Sequence, residues 1–168
     1  LAATLPQGTG LQVESPGEAG VDSYFDATLD GVDLPLLDGT YDAWCADAKL
    51  EIEASKPHEA AVYSSYEPLP EGLALDKDNL DLVNWVINQE WEGYSWQQVQ
   101  CALWKLLGTL PDGEAGLDFV CGALDANDAE ENGKADEIVL LATRYGESYV
   151  PLTCDARIGL LLVPPAAD

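Results

Sequence analysis

The chain has 168 residues, 47% of them hydrophobic, which is enough to form one globular domain with a sizeable core. It carries 31 Asp and Glu residues against 7 Lys and Arg, a formal net charge of −24 at pH 7. A surface of this sign repels nucleic acid phosphates and anionic membranes, so neither is expected as a partner. The sequence contains no apolar run long enough to span a membrane, so we expect no membrane insertion.

The first part of the chain and its end have the composition of β-strands. Strands are predicted at residues 11–13, 21–29, 41–46, 50–55 and 61–66, and again at 148–153 and 158–163. Asp38-Gly39 marks a turn. Lys56-Pro57 is expected to end the strand predicted at residues 50–55.

The middle of the chain has the apolar periodicity of helices, predicted at residues 79–89, 95–108, 116–124 and 133–145. Asp78 is the expected N-cap of the first helix. The second has both ends marked, by a capping box at Ser95 and Gln98 and by Gly108 after its last turn. We therefore predict a single α+β domain over residues 1–168: a β-sandwich or barrel-like sheet with a helical insertion at about 78–146.

Gln100 lies in the middle of an apolar stripe on the second predicted helix. At about 100° per residue, Trp96, Gln100, Leu103 and Leu107 fall within roughly 60° of one another. Because a buried amide without partners costs about 1–3 kcal/mol, Gln100 is expected to make specific contacts. It is either a core residue bonded to the backbone of a neighbouring strand or part of a functional site.

Four cysteines, at positions 45, 101, 121 and 154, are widely spaced and include no CxxC pair, which argues against a zinc site. An even number in an acidic chain is typical of a secreted or cell-surface protein with up to two disulfides. Candidate pairs are Cys101–Cys121, between two helices, and Cys45–Cys154, between an early and a late strand. We expect the module to belong to a larger surface protein.

Two short motifs resemble a known family. Val99 to Trp104 fits the pattern apolar-Gln-x-Ala-apolar-Trp, and Cys45 follows an aromatic residue near the end of an early predicted strand. Together, over roughly residues 35–165, they resemble the thioester domains of bacterial surface adhesins, in which such a Cys and such a Gln condense into an internal thioester. The order of the elements is also similar to that of the family: an early strand carries the Cys, a helical insertion carries the Gln, and further strands close the domain.

The resemblance implies that Cys45 is the acyl carrier and Gln100 the acyl donor, which has lost ammonia. An amine or hydroxyl of a host or environmental surface protein or glycan would then attack the thioester and become covalently attached, once and without turnover. The alternative is a non-catalytic binding domain of the same fold, with Cys45 in a disulfide and Gln100 as a hydrogen-bonding anchor. Both interpretations stay open on the sequence. His58, the single histidine, is expected to be exposed and inert.

Two further groups of residues are candidates for ligand binding. Tyr63, Tyr66, Trp91 and Tyr94 are candidates for recognising a glycan or peptide in the non-covalent alternative. Asp128, Glu130, Asn132 and Asp136 match positions 1, 3, 5 and 9 of an EF-hand loop, but position 12 is Val139, where a bidentate Glu is needed. Calcium is thus the one candidate cofactor, and a chance acidic cluster is the favoured explanation of these residues. A hydrolytic enzyme is not expected, because no nucleophile–base pair can be named.

Overall fold

The computed structural model describes residues 9–14, 25–30, 39–47, 57–60, 63, 65, 69, 75–109, 129–149 and 160–162. These residues form strands β1 (Thr9–Glu14), β2 (Phe25–Asp30), β3 (Gly39–Cys45), β4 (Pro57–Ala60) and β5 (Leu160–Leu162), and helices α1 (Leu80–Ile87), α2 (Trp96–Leu107) and α3 (Ala129–Tyr145). The predicted mixture of helices and strands is confirmed, while a closed barrel or a sandwich stays a prediction.

The five strands form one sheet in the order β4-β1-β2-β3-β5. Its first four strands pair antiparallel, and β3 pairs with β5 in parallel. Parallel neighbours require a long crossover connection. The three helices lie between β4 and β5 in the chain, so they form part of this crossover, at the place predicted for the helical insertion.

Strand β4 differs from the prediction, which placed a strand end at Pro57. The strand begins at that residue. Proline is tolerated here because β4 is at the edge of the sheet and Pro57 is its first residue, where no ladder hydrogen bond is lost. Tyr63 and Ser65 do not belong to a strand, and neither do Ser148 and Tyr149. The other residues of the strands predicted at 61–66 and 148–153, and the whole segment 50–55, lie outside the described residues.

Helix α1 begins differently from the prediction, which used Asp78 as its N-cap. A short 3₁₀ turn over Lys77–Asn79 precedes the helix, and Asp76 caps this turn by accepting a hydrogen bond from the Asp78 N–H at 3.2 Å. Asp78 is therefore already inside the turn. The two elements are continuous, which explains why the pattern indicated a single start.

Helix α2 has the predicted ends. The Ser95 hydroxyl accepts from the Gln98 N–H at 3.2 Å, and the Gln98 side chain accepts from the Ser95 N–H at 2.8 Å, which completes the capping box. Gly108 ends the helix in the left-handed conformation, with φ of 69°. The helix that carries Gln100 is thus fixed at both ends by its own sequence.

Helix α3 is longer than predicted and starts at Ala129. Ile138 and Ala142 are buried as expected, but Tyr145 is 56% exposed and stacks on Trp85 at 6.1 Å between ring centroids. Gly146 follows the helix as predicted. A Cβ atom at this position would come within 2.8 Å of the Ala142 carbonyl oxygen and 2.9 Å of Trp85 Cβ, so close packing against α1 requires a glycine. The helix predicted at 116–124 lies outside the described residues.

The core lies where the three helices meet the end of β3. Its buried members are Trp44, Ala46, Leu80, Leu82, Val83, Val86, Val99, Ala102, Leu103, Leu106, Leu107, Ile138 and Ala142. Helix α2 contributes the largest share and contacts α1, α3 and β3. None of the helices in the described part of the chain is long and apolar enough to span a membrane, in agreement with the sequence.

Candidate functional site

Cys45 is the last residue of β3, at the end where the strand enters the core. The first half of β3 is largely exposed, whereas Ala43, Trp44 and Cys45 are all buried. Because successive side chains of a strand point to opposite faces, both faces of the sheet are covered here. Asp47, two residues further on, is still only 7% exposed. The end of β3 therefore places a thiol in the protein interior.

The Gln100 carboxamide binds the backbone of Cys45 at both of its polar ends. Its Oε1 accepts from the Cys45 N–H at 2.9 Å, and its Nε2 donates to the Cys45 carbonyl oxygen at 2.8 Å. Gln100 has no exposed surface. This paired exchange is the one a residue on an adjacent antiparallel strand would make. The structure thus brings together the two residues proposed from the sequence, 55 positions apart in the chain.

The same contact matches the simpler explanation of Gln100, a core amide bonded to the backbone of a strand. The two explanations are compatible, because an amide anchored on the backbone of Cys45 lies beside the residue that carries the sulfur. Three bonds separate Sγ from its own backbone nitrogen, so these two atoms lie within about 4 Å of each other. Gln100 therefore has a structural role whether or not the side chains react.

The Cys45 thiol is free and buried. Its Sγ donates to the Asp47 carbonyl oxygen at 3.2 Å. Burial raises the pKa of the thiol; hydrogen bonds with the Asp47 backbone and the Trp104 side chain lower it, and the negative charge of Asp47 raises it further. A raised pKa keeps the sulfur protonated at neutral pH, which is unlike the activated thiolate of a cysteine enzyme.

Trp104 and Thr109 hold α2 against the end of β3. Trp104 lies one turn after Gln100, hence on the same side of the helix, and is 4% exposed. The Thr109 hydroxyl donates to the Ala46 carbonyl oxygen at 2.7 Å, and its N–H donates to the Trp104 carbonyl oxygen at 3.1 Å. The helix is thus fastened to consecutive residues of the strand end, which fixes Gln100 opposite Cys45.

The Cys45 sulfur is free in the structure, and Cys154 lies outside the described residues, so the candidate disulfide Cys45–Cys154 stays a prediction. Cys101, next to Gln100 on α2, is buried and disulfide-bonded. Cys121 and Cys154 lie outside the described residues, so Cys101–Cys121 stays a prediction.

His58 is far from this site and lies on strand β4, where it is half-buried and not exposed as expected. In the sheet it is level with Leu11, Leu29 and, on β3, Gly39. Three strand spacings and the six residues from Gly39 to Cys45 separate it from the thiol by roughly 24 Å along the sheet. His58 is therefore not placed to act as a base on Cys45.

The residues proposed for calcium do not form an EF-hand loop. Helix α3 starts at Ala129, so Glu130, Asn132 and Asp136 follow a helical backbone where the motif requires a loop. Asp136 forms a salt bridge with Lys105. Asp128 is outside the described residues, and no metal-binding group of three or more His, Cys, Asp or Glu side chains occurs among those described.

Two of the four aromatic candidates pack together. The Trp91 and Tyr94 rings meet edge to face at 5.3 Å between centroids, Trp85 contacts Trp91 at 5.9 Å, and Tyr145 stacks on Trp85. We refer to Trp85, Trp91, Tyr94 and Tyr145 as the aromatic row. Tyr63 is 45% exposed, and Tyr66 is outside the described residues.

Three residues of the site were not proposed from the sequence: Asp47, Trp104 and Thr109. Of these, Trp104 had a usable signal, because it lies four positions after Gln100 and thus on the same helix face. Comparison of the chain with protein-family models, curated proteins and solved structures gives no match.

Proposed function

We propose that this protein is an extracellular adhesion module that attaches covalently to surface nucleophiles through an internal thioester between Cys45 Sγ and Gln100 Cδ. The observation that carries the proposal is the pair of hydrogen bonds that anchors the Gln100 carboxamide on Cys45 itself. The resemblance of the two sequence motifs to thioester domains supports the same pairing. The sheet is expected to be the barrel or sandwich of such domains.

The contacts suggest how the bond forms. Sγ of Cys45 attacks Cδ of Gln100, and negative charge develops on Oε1, which already accepts the Cys45 N–H. A backbone donor aimed at that oxygen stabilises a tetrahedral intermediate. The C–N bond then breaks, the thiol proton goes to Nε2, and one ammonia leaves as one thioester forms.

Attachment is the same chemistry with an outside nucleophile. A primary amine attacks Cδ, a C–N bond forms, the C–S bond breaks, and the proton lost by the amine goes to Sγ. The target is acylated once, and Cys45 returns as a thiol. Burial of Gln100 and Cys45 would protect the thioester from water until a target reaches it.

Intact mass under non-reducing conditions tests the proposal. We expect a deficit of about 17 Da beyond that of any disulfides, and a gain of about 31 Da when methylamine opens the thioester. In Cys45→Ala both changes should disappear while the fold persists, because Gln100 bonds to the backbone of Cys45 and not to its side chain. A wild-type chain of full mass, apart from disulfides, would refute the thioester.

A second candidate is non-covalent binding of a glycan or peptide at the aromatic row, in a disulfide-stapled domain of the same fold. It is favoured by the exposure of Tyr145, whose ring lies next to the guanidinium of Arg144 at 5.3 Å. The Tyr94 hydroxyl also bonds to Glu137, which raises the pKa of that tyrosine. Aromatic rings with polar groups at their edges are frequent at recognition surfaces.

Binding to a glycan array or a peptide library tests this candidate. We expect Tyr145→Ser to weaken binding about tenfold, because it removes an exposed ring of the row. Leu140→Ser, also on α3 and 70% exposed, is the matched control and should have no effect. Binding that requires Cys45, or that both variants reduce equally, would contradict the aromatic row as the binding surface.

A further inference from the structure

We propose that a cavity of about 330 Å³ beside the start of α1 is a binding site for a neutral sugar residue. We refer to it as the α1 cavity. It is lined by the 3₁₀ turn before α1 and by Ser65, Leu80, Asp81, Asn84, Ser148 and Tyr149. None of its lining residues belongs to the Cys45 site or to the aromatic row, so this site is separate from both.

Two side chains of α1 tie the walls of the α1 cavity together. The Asp81 carboxylate accepts from the Ser148 N–H at 2.6 Å, and the Asn84 Nδ2 donates to the Ser65 hydroxyl at 3.0 Å. Ser148 has a φ of 57°, a left-handed conformation that residues other than glycine seldom adopt, and its bond to Asp81 holds it there. Three segments far apart in the chain thus surround one preformed space, as is usual for small-molecule sites.

The Asn84 carboxamide and the Ser65 hydroxyl leave one acceptor and one donor unused at this wall. Asn84 is only 8% exposed, and its Oδ1 accepts no hydrogen bond from the described part of the chain. The Ser65 oxygen accepts from Asn84, while its own hydrogen donates to no group among the described residues. An unpaired acceptor buried this deeply costs free energy, so a ligand that pairs with it is favoured. A sugar hydroxyl fits, because it donates to Oδ1 and accepts from Ser65 at the same time.

The charges at the exposed edge of the α1 cavity favour a neutral ligand. The carboxylates of Asp78 and Asp81 repel an anion, and the ammonium group of Lys77 repels a cation. The buried Leu80 and the half-buried Tyr149 supply apolar wall, against which the C–H groups of a sugar ring can pack. The volume is at the lower end of the range of about 300–1,000 Å³ found for small-molecule sites, which suits one or two sugar rings.

Titration of ¹⁵N-labelled protein with single sugars, followed by amide NMR, tests the site. The probes are glucose, galactose, mannose and N-acetylglucosamine. At least one should bind with a Kd on the order of 1 mM, as expected for a ligand of this size, and shift the Asn84 side-chain and Ser148 backbone resonances. The uronate and the amino sugar of the same ring should bind about tenfold more weakly. No shift with any of the four probes, or tighter binding of a charged form, overturns the proposal.

Two variants locate the sugar in the α1 cavity. Asn84→Leu removes the unused acceptor and Ser65→Ala the unused donor, and each should weaken binding about tenfold. Ser65→Ala decides the question if Asn84→Leu does not fold. Asn88→Leu is the matched control, because it removes an amide hydrogen bond one turn further along the chain and outside the cavity, and its Kd should equal that of the wild type. Equal Kd values in Ser65→Ala and the wild type overturn the site.

Two further variants separate this site from the other proposed ones. Tyr145→Ser, on the aromatic row, should leave the Kd unchanged, and a loss of binding in this variant would contradict the α1 cavity. Cys45→Ala should also bind the sugar as the wild type does, and binding that requires the thiol would overturn the site. A wild-type chain without the 17 Da deficit refutes the thioester alone, since the sugar site does not depend on it.

Discussion

In a Cys45→Ala background, where no thioester can form, replacing Gln100 by leucine is expected to lower the free energy of unfolding by about 2–6 kcal/mol, since it leaves two buried backbone groups of residue 45 unpaired at about 1–3 kcal/mol each. Leucine is close to glutamine in size, so the loss comes from the hydrogen bonds and not from a cavity. Gln97→Leu, on the same helix but half-buried, is the control and should change stability by less than about 0.5 kcal/mol. Urea unfolding measures both.

Gln100→Glu makes the same contact dependent on pH. The introduced carboxyl accepts the Cys45 N–H in either form but donates to the Cys45 carbonyl oxygen only when it is protonated. Its pKa in the folded state should therefore lie above the unfolded value of about 4.3. Stability is then fully present below that value and is lost as pH rises through the folded pKa. Equal pH dependence in Gln97→Glu would contradict a buried, paired site at Gln100.

The features that the sequence predicted well are those encoded within a few residues. The ends of α2 depend on the Ser95–Gln98 pair and on Gly108, and the burial of Gln100 depends on its place in a 3.6-residue pattern. The pairing of Gln100 with Cys45 came from two motifs considered together, not from periodicity. Neither motif alone indicates which distant strand the amide would contact.

Other features depend on the assembled fold. Pro57 begins a strand because β4 is an edge strand, and the order of strands in a sheet is not a local property. Tyr145 fits the apolar stripe of α3 but lies beyond the core, where Trp85 offers a stacking surface. Thr109 anchors α2 through a hydrogen bond to the Ala46 carbonyl oxygen. Those two residues are 63 positions apart in the chain, so only the assembled fold brings them together.

Amino-acid composition alone does not distinguish a calcium-binding loop from a helix. The interpretation of Asp128, Glu130, Asn132 and Asp136 as a calcium loop shows this. Acidic residues at alternate positions satisfy a loop motif and a solvated helix equally well when 31 of 168 residues are acidic. The backbone decides, and from Ala129 onward it is helical. The missing Glu at position 12, occupied by Val139, was the one local sign against the loop.

In the folded protein, the free Cys45 thiol is expected to react with iodoacetamide about a hundredfold or more slowly than the same thiol in urea, because modification requires local opening. The side chain is 5% exposed, and burial raises its pKa. The measurement uses chain in which Cys45 is a thiol, obtained by opening any thioester with methylamine. Folded and unfolded rates that agree within a few-fold would contradict the buried environment.

The raised pKa also has a consequence for stability. A thiol whose folded pKa lies above its unfolded value of about 8.5 contributes stability that is fully present below that pH and is lost as pH rises through the folded pKa. Urea unfolding from pH 7 to 10 should thus show a steeper loss in the thiol form than in Cys45→Ser, which cannot ionise there. Equal slopes would mean that the folded environment does not disfavour the thiolate. A sulfur kept neutral by the fold is poorly suited to attack outside molecules, so the proposed thioester depends on the Gln100 carboxamide being held on the backbone of the same residue.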